Sequence, residues 1–146
     1  MKNLSRWLVA LTVLLLPFVA AAQQGALEIE ITGGNASATP IAVVPMAYQG
    51  SAGAPQTDVA AVVRADLDRS GQFRNLPEAQ IVERPSRGSE VQYPTWRALK
   101  QDFLVVGRVQ DAGAGAYRVE YELFDVAKGE RLLGLAMTAR SSAMRD

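Results

Sequence analysis

From Phe103 the sequence runs FLVVGRVQDAGAGAYRVEYELFDVAKGERLLGLAMTA, and no other stretch limits the fold so tightly. FLVVGRV is almost continuously apolar, the pattern of a central strand covered on both faces. DAGAG, residues 111–115, reads as a turn. AYRVEYELFDV then alternates strictly. Tyr117, Val119, Tyr121 and Leu123 fall on one side, and Arg118, Glu120 and Glu122 on the other. AKGE at 127–130 is a second turn, and RLLGLAMTA a third strand. Connections this short join neighbours antiparallel, so the three strands predict a meander.

The preceding residues supply a different unit. IAVVPM, residues 41–46, is a short apolar strand bounded by Pro40 and Pro45. The loop AYQGSAGAPQ carries glycines but lacks the Gly-Lys-Ser/Thr ending of a phosphate-binding loop. A helix follows, capped by Thr57 or Asp58 and stopped by Gly71. Val59, Val62, Val63 and Leu67 recur on its apolar face. QFRNL beyond it is extended, so strand, helix and strand make a βαβ unit. Residues 77–92 are irregular. Pro94 opens a short helix whose Trp96 and Leu99 share a buried face. The fold class is therefore α/β (α+β): a single mixed β-sheet with one long and one short helix, ending in the meander. Only one long helix is available to cover two sheet faces, and the sequence ends at RSSAMRD without another core segment. The domain is expected to be truncated before its last helix.

The N-terminus has export character. Lys2 and Arg6 precede an apolar run from Leu8 to Val19, too short for the roughly 20 residues of a membrane span. Ala20, Ala21 and Ala22 form a small-residue cleavage site before Gln23, so residues 1–22 read as a signal peptide cut between Ala22 and Gln23. Removing them leaves 13 basic against 15 acidic side chains. That balance gives no electrostatic footprint for nucleic acid, and no basic amphipathic helix suggests a membrane surface.

Cysteine and histidine are both absent. Without Cys there is no disulfide framework and no lipid-modified N-terminal cysteine. Without His the usual general base and the commonest metal ligand are gone. Zinc sites and Ser-His or Cys-His catalysis cannot be built from this composition, and no cofactor or metal is expected. Glu120 and Glu122 lie on one strand face with Arg118, but an acid/base pair needs one desolvated carboxyl. A solvated sheet face is the simpler expectation. Asp66 and Asp68 sit about 200° apart around a helix and do not converge. Trp96, Tyr117 and Tyr121 fit a core better than a stacking platform. The chain is not expected to be an enzyme.

Just after the cleavage site lies the alternating segment Ala26, Leu27, Glu28, Ile29, Glu30, Ile31, Thr32, followed by the hinge-like Gly33-Gly34-Asn35. Leu27, Ile29 and Ile31 form one side, and Glu28 and Glu30 the other. Two readings stand: an ordinary strand of the domain's own sheet, or a strand that adds to the sheet of a partner.

ALEIEITGG, PIAVVPM, DVAAVVRADLDRSGQF, PTWRAL, FLVVGRV and YRVEYELFDVAKGERL, in that order after a signal peptide, resemble the N-terminal α/β domain of the TolB family of the Tol–Pal envelope system. The resemblance implies an anticodon-binding-like fold over residues 35–146 and a mobile partner-binding segment at 23–34. It also implies a non-enzymatic periplasmic role in outer-membrane integrity and constriction during cell division. The implied partner is the C-terminal domain of TolA, bound through residues 26–32. The lipoprotein Pal is implied only for a protein that also carries the family's β-propeller, to which nothing here corresponds. The alternative is a regulatory or ligand-binding accessory domain of another outer-membrane-associated assembly.

Overall fold

The computed structural model describes residues 38–140. β1 (Thr39–Val43) and β2 (Ala47–Tyr48) precede helix α1 (Val59–Ser70) and β3 (Phe73–Asn75). Two single-turn 3₁₀ helices, Glu78–Gln80 and Gly88–Glu90, lead to the short α2 (Tyr93–Ala98). The long strands β4 (Phe103–Gly113), β5 (Ala116–Asp125) and β6 (Glu130–Arg140) follow. The sheet order is β3-β1-β4-β5-β6, with β2 also pairing with β4. β3, β1 and β4 are parallel, and β5 and β6 complete an antiparallel meander on β4. The expected mixed sheet, βαβ unit and terminal meander are all present.

α1 begins and ends where its punctuation dictates. The Asp58 carboxylate accepts a hydrogen bond from the Ala61 amide at 3.1 Å. Gly71 takes the left-handed conformation, φ 68°, and its amide returns to the Asp68 carbonyl. The buried arc differs from the expected one. Ala60 is fully buried, whereas Val62 is 45% exposed. At 3.6 residues per turn the arc shared by Val59, Val63, Leu67 and Ala60 has its centre about 120° from Val62. The methyl of Ala60 lets the helix approach the sheet closely, and Val62 points away from it.

Two cores lie on opposite faces, because alternate strand residues point to opposite sides. Ile41, Val43 and Val105 pack with Ala60 under α1. Ala42, Val44, Leu104 and Val106 pack with Phe124, Val126 and the fully buried Trp96 of α2. β4 is buried on both faces from Leu104 to Gly107, as its apolar run demands.

The segment after β2 is pinned from a distance. Asp111 on β4 accepts hydrogen bonds from the Tyr48 hydroxyl and from the amides of Ser51 and Ala52. The Tyr117 hydroxyl donates to the Gly53 carbonyl at 3.1 Å. Arg64 on α1 donates to the Val43 carbonyl and to Glu78, tying the helix to the end of β1 and to the first 3₁₀ turn.

Candidate partner-binding surface

The two faces of the β5–β6 ribbon are chemically unlike, and together they form the most distinctive surface among the described residues. On the α1 side, Val119, Tyr121 and Leu123 of β5 stand opposite Met137, Leu135 and Leu133 of β6. α1 covers the β1–β4 half of this face and leaves the β6 half open. Leu133, Leu135 and Met137 are 40%, 50% and 54% exposed. A hollow of about 600 Å³ runs from α1 to this row.

The opposite face is charged. A groove of about 500 Å³ is walled by Arg87, Arg108, Arg118 and Arg131 around Glu120 and Glu122, with Gly134 and Ala136 on its β6 side. Glu120 pairs with both Arg108 and Arg118. Glu122 accepts from Arg131 at 2.9 Å and from the Gly88 amide at 2.7 Å. Both glutamates are about four-fifths buried as side chains. The expected solvated sheet face is therefore a network of half-buried ion pairs. The Arg118 hydrogen bond, with the charges of Arg108, Arg118 and Arg87, holds the Glu120 carboxyl below the ordinary range despite partial desolvation. That direction is opposite to the one a catalytic acid needs.

Arg131 reaches this groove because of one irregularity. Leu123 pairs with Leu133, but the next residue, Phe124, pairs with Arg131, leaving Leu132 unmatched. Strict alternation would put Arg131 beside Leu133 and Leu135. The bulge at Leu132 transfers it to the charged face. Arg87 comes from the irregular loop. Neither placement follows from spacing, because only Arg118 stands beside Glu120 and Glu122 in the sequence.

The other expected features are dispersed. Asp66 pairs with Arg69, while Asp68 accepts from Asn75. Trp96 is buried on the α2 side, whereas Tyr117 meets Tyr48 edge-on, so these aromatics form no platform. No cluster of acidic side chains among the described residues could hold a metal ion, and no described helix is long and apolar enough to cross a membrane. The segment 26–32 and the cleavage site at Ala22 and Gln23 lie outside the described residues.

The chain matches the family model of the TolB amino-terminal domain over residues 27–132. It is 76% identical over all 146 residues to the Tol-Pal system protein TolB of Xanthomonas oryzae pv. oryzae (strain KACC10331 / KXO85). It is 75% identical to that of Xanthomonas euvesicatoria pv. vesicatoria (strain 85-10). In both cases it spans 33% of the relative, about a third of its length. Its fold superposes on TolB from Acinetobacter baumannii with a TM-score of 0.57 and 27% identity, over 74% of this chain and 25% of that one. The LpoB C-terminal domain from Salmonella enterica gives a TM-score of 0.57 at 12% identity, over 75% of this chain and 87% of that one, a likeness of fold alone. Sequence and fold agree that the chain belongs to the TolB amino-terminal domain family.

Proposed function

We propose that the chain acts in the Tol–Pal system by binding and not by catalysis, with residues 26–32 adding as a strand to the C-terminal domain of TolA. One observation carries the reading. The family match begins at Leu27, so the alternating segment belongs to the stretch shared with TolB. An extended peptide pairs with a sheet edge through its backbone and gains specificity from alternate side chains. Leu27, Ile29 and Ile31 supply the apolar row, and Glu28 and Glu30 the outer one. The protein works in the periplasm after cleavage between Ala22 and Gln23, supporting outer-membrane integrity and constriction during division. Pal is a partner of the longer, propeller-bearing protein.

Calorimetric titration against the TolA C-terminal domain tests the reading. Ile29→Asp places a charge on the buried row and removes most of the affinity. Ile29→Pro is also severe, because it fixes φ and removes an amide donor. Glu28→Gln, on the open row, has a much smaller effect. Unchanged binding after deletion of residues 23–32 would make the segment an ordinary strand and overturn the mechanism.

A further inference from the structure

We propose that residues 50–56 form a strap that opens and closes as a unit on the folded domain, with the Asp111 carboxylate as its latch. The strap joins β2 to α1, and both of its ends are fixed without it. At one end the Gln49 amide donates to the Val109 carbonyl at 2.8 Å. At the other, Asp58 caps α1, and Arg64 reaches both Asp58 and the Val43 carbonyl. Between these ends the sequence GSAGAPQ has no charged side chain, and only Pro55 is even half-buried. Among the described residues its backbone makes no hydrogen bond to another backbone group.

Side chains where β4 and β5 meet their turn hold the strap instead. Asp111 accepts from the Ser51 and Ala52 amides on one oxygen and from the Tyr48 hydroxyl on the other. Tyr117 donates to the Gly53 carbonyl and sets its ring edge-on against Tyr48. Gly50 lies so close that a Cβ there would stand 2.5 Å from both Asp111 Oδ2 and the Tyr48 hydroxyl. Three donors thus converge on one carboxylate, and loss of its charge loosens all three together. Opening a segment with so little buried side chain and backbone bonding costs far less than unfolding the sheet beneath it. Ala54, Pro55 and Gln56 also wall a hollow of about 240 Å³ against Met46, Val59 and Val109, so opening removes that wall.

The titratable groups that face Asp111 are Tyr48 of β2 and, paired with it across the ladder, Tyr117 of β5. The strap itself brings none, and Asp111 belongs to no ion pair among the described residues. Arg118, next to Tyr117, turns to the other face and binds Glu120. No cation therefore resists protonation of the latch.

Native-state hydrogen exchange of the ¹⁵N-labelled full chain tests the strap. The Ser51 and Ala52 amides are expected to exchange at least about a hundredfold faster than those of residues 104–106. Low urea leaves their rate unchanged, because local opening exposes little surface. Release only by unfolding of the domain would instead raise that rate about tenfold per molar of urea. Asp111→Asn speeds exchange of both amides by at least about tenfold. Gly50→Ala does the same with the charge left in place, and serves if circular dichroism shows Asp111→Asn to be unfolded. In the native chain the two amide signals move together as pH falls, with a midpoint below 3.8 and the rest of the spectrum still dispersed. A urea slope shared with residues 104–106 overturns the proposal. So does exchange at Ser51 and Ala52 that neither variant changes, a midpoint at or above 3.8, or an acid shift that appears only as the whole spectrum collapses.

Discussion

The Tyr48 hydroxyl donates a hydrogen bond to Asp111 Oδ1 at 2.5 Å, joining residues 63 apart in sequence. Two backbone amides, those of Ser51 and Ala52, converge on the other carboxylate oxygen at 2.7 and 3.0 Å. One side chain on β4 thus anchors both β2 and the loop that leads to α1.

That anchor is expected to titrate. The Tyr48 hydrogen bond, then the Ala52 and Ser51 amides, hold the Asp111 carboxyl below its ordinary value of 3.8. A carboxyl depressed in the folded state contributes stability that is complete above the unfolded pKa and is lost as pH falls through the folded one. Denaturation midpoints of the native chain and Asp111→Asn, followed from pH 6 to about pH 2, should therefore converge below about pH 4. A gap independent of pH would assign the anchoring to another group. At the alkaline end the sign reverses. Desolvation, with the hydrogen bond and charge of Asp111, raises the Tyr48 phenol above 10.0. Its contribution is whole below the unfolded pKa and fades as pH climbs through the folded one.

Replacing Trp96 by Ala should cost about 3–5 kcal/mol, the range for truncating a fully buried large aromatic. Trp96 is 0% exposed and lies in the cluster with Leu104, Val106 and Phe124. Val82→Ala, at a residue 68% exposed, should stay within about 0.5 kcal/mol of the native chain. Urea denaturation of both variants checks the contrast, and comparable losses would contradict this placement of the core.

Two glycines should fail for different reasons. At Gly107 an added Cβ would meet the Glu120 carbonyl oxygen at 2.6 Å, so Gly107→Ala must separate β4 from β5 and should cost about 1–3 kcal/mol. At Gly71 the space is open but φ is +68°, so Gly71→Ala pays only for conformation, about 1 kcal/mol. Thermal melts that rank Gly71→Ala as the more damaging would reverse this assignment.

The helix Val59–Ser70 and the meander were legible because their signals are local: Asp58 and Gly71 bracket the helix, and period-two alternation marks β5. β2 was read as loop. Its two residues form a strand only because Arg108 and Val109 lie alongside and Asp111 holds Tyr48. Val62 was assigned to the buried face because apolarity was counted where Ala60's small size decided the approach. The charged groove was least accessible, since it depends on a bulge that changes the parity of β6 and on Arg87 from an irregular loop. The proposed TolA-binding segment was visible as alternation, but alternation describes equally a strand that stays at home.

The sheet order has a consequence for how the chain reaches this fold. β4, β5 and β6 are joined by tight turns, one of them through Ala114 and Gly115 with positive φ, and such hairpins close within about 1–10 μs. The parallel pairing of Ile41 with Phe103 must instead enclose some sixty residues of unstructured chain, a contact of high sequence separation that slows assembly. The meander is thus the natural nucleus, onto which β1, β3 and the covering helices condense. In pulse-labelled hydrogen exchange the β4–β5 amides should gain protection ahead of those of β1, and simultaneous protection would instead mean that the parallel and antiparallel halves cross one barrier together.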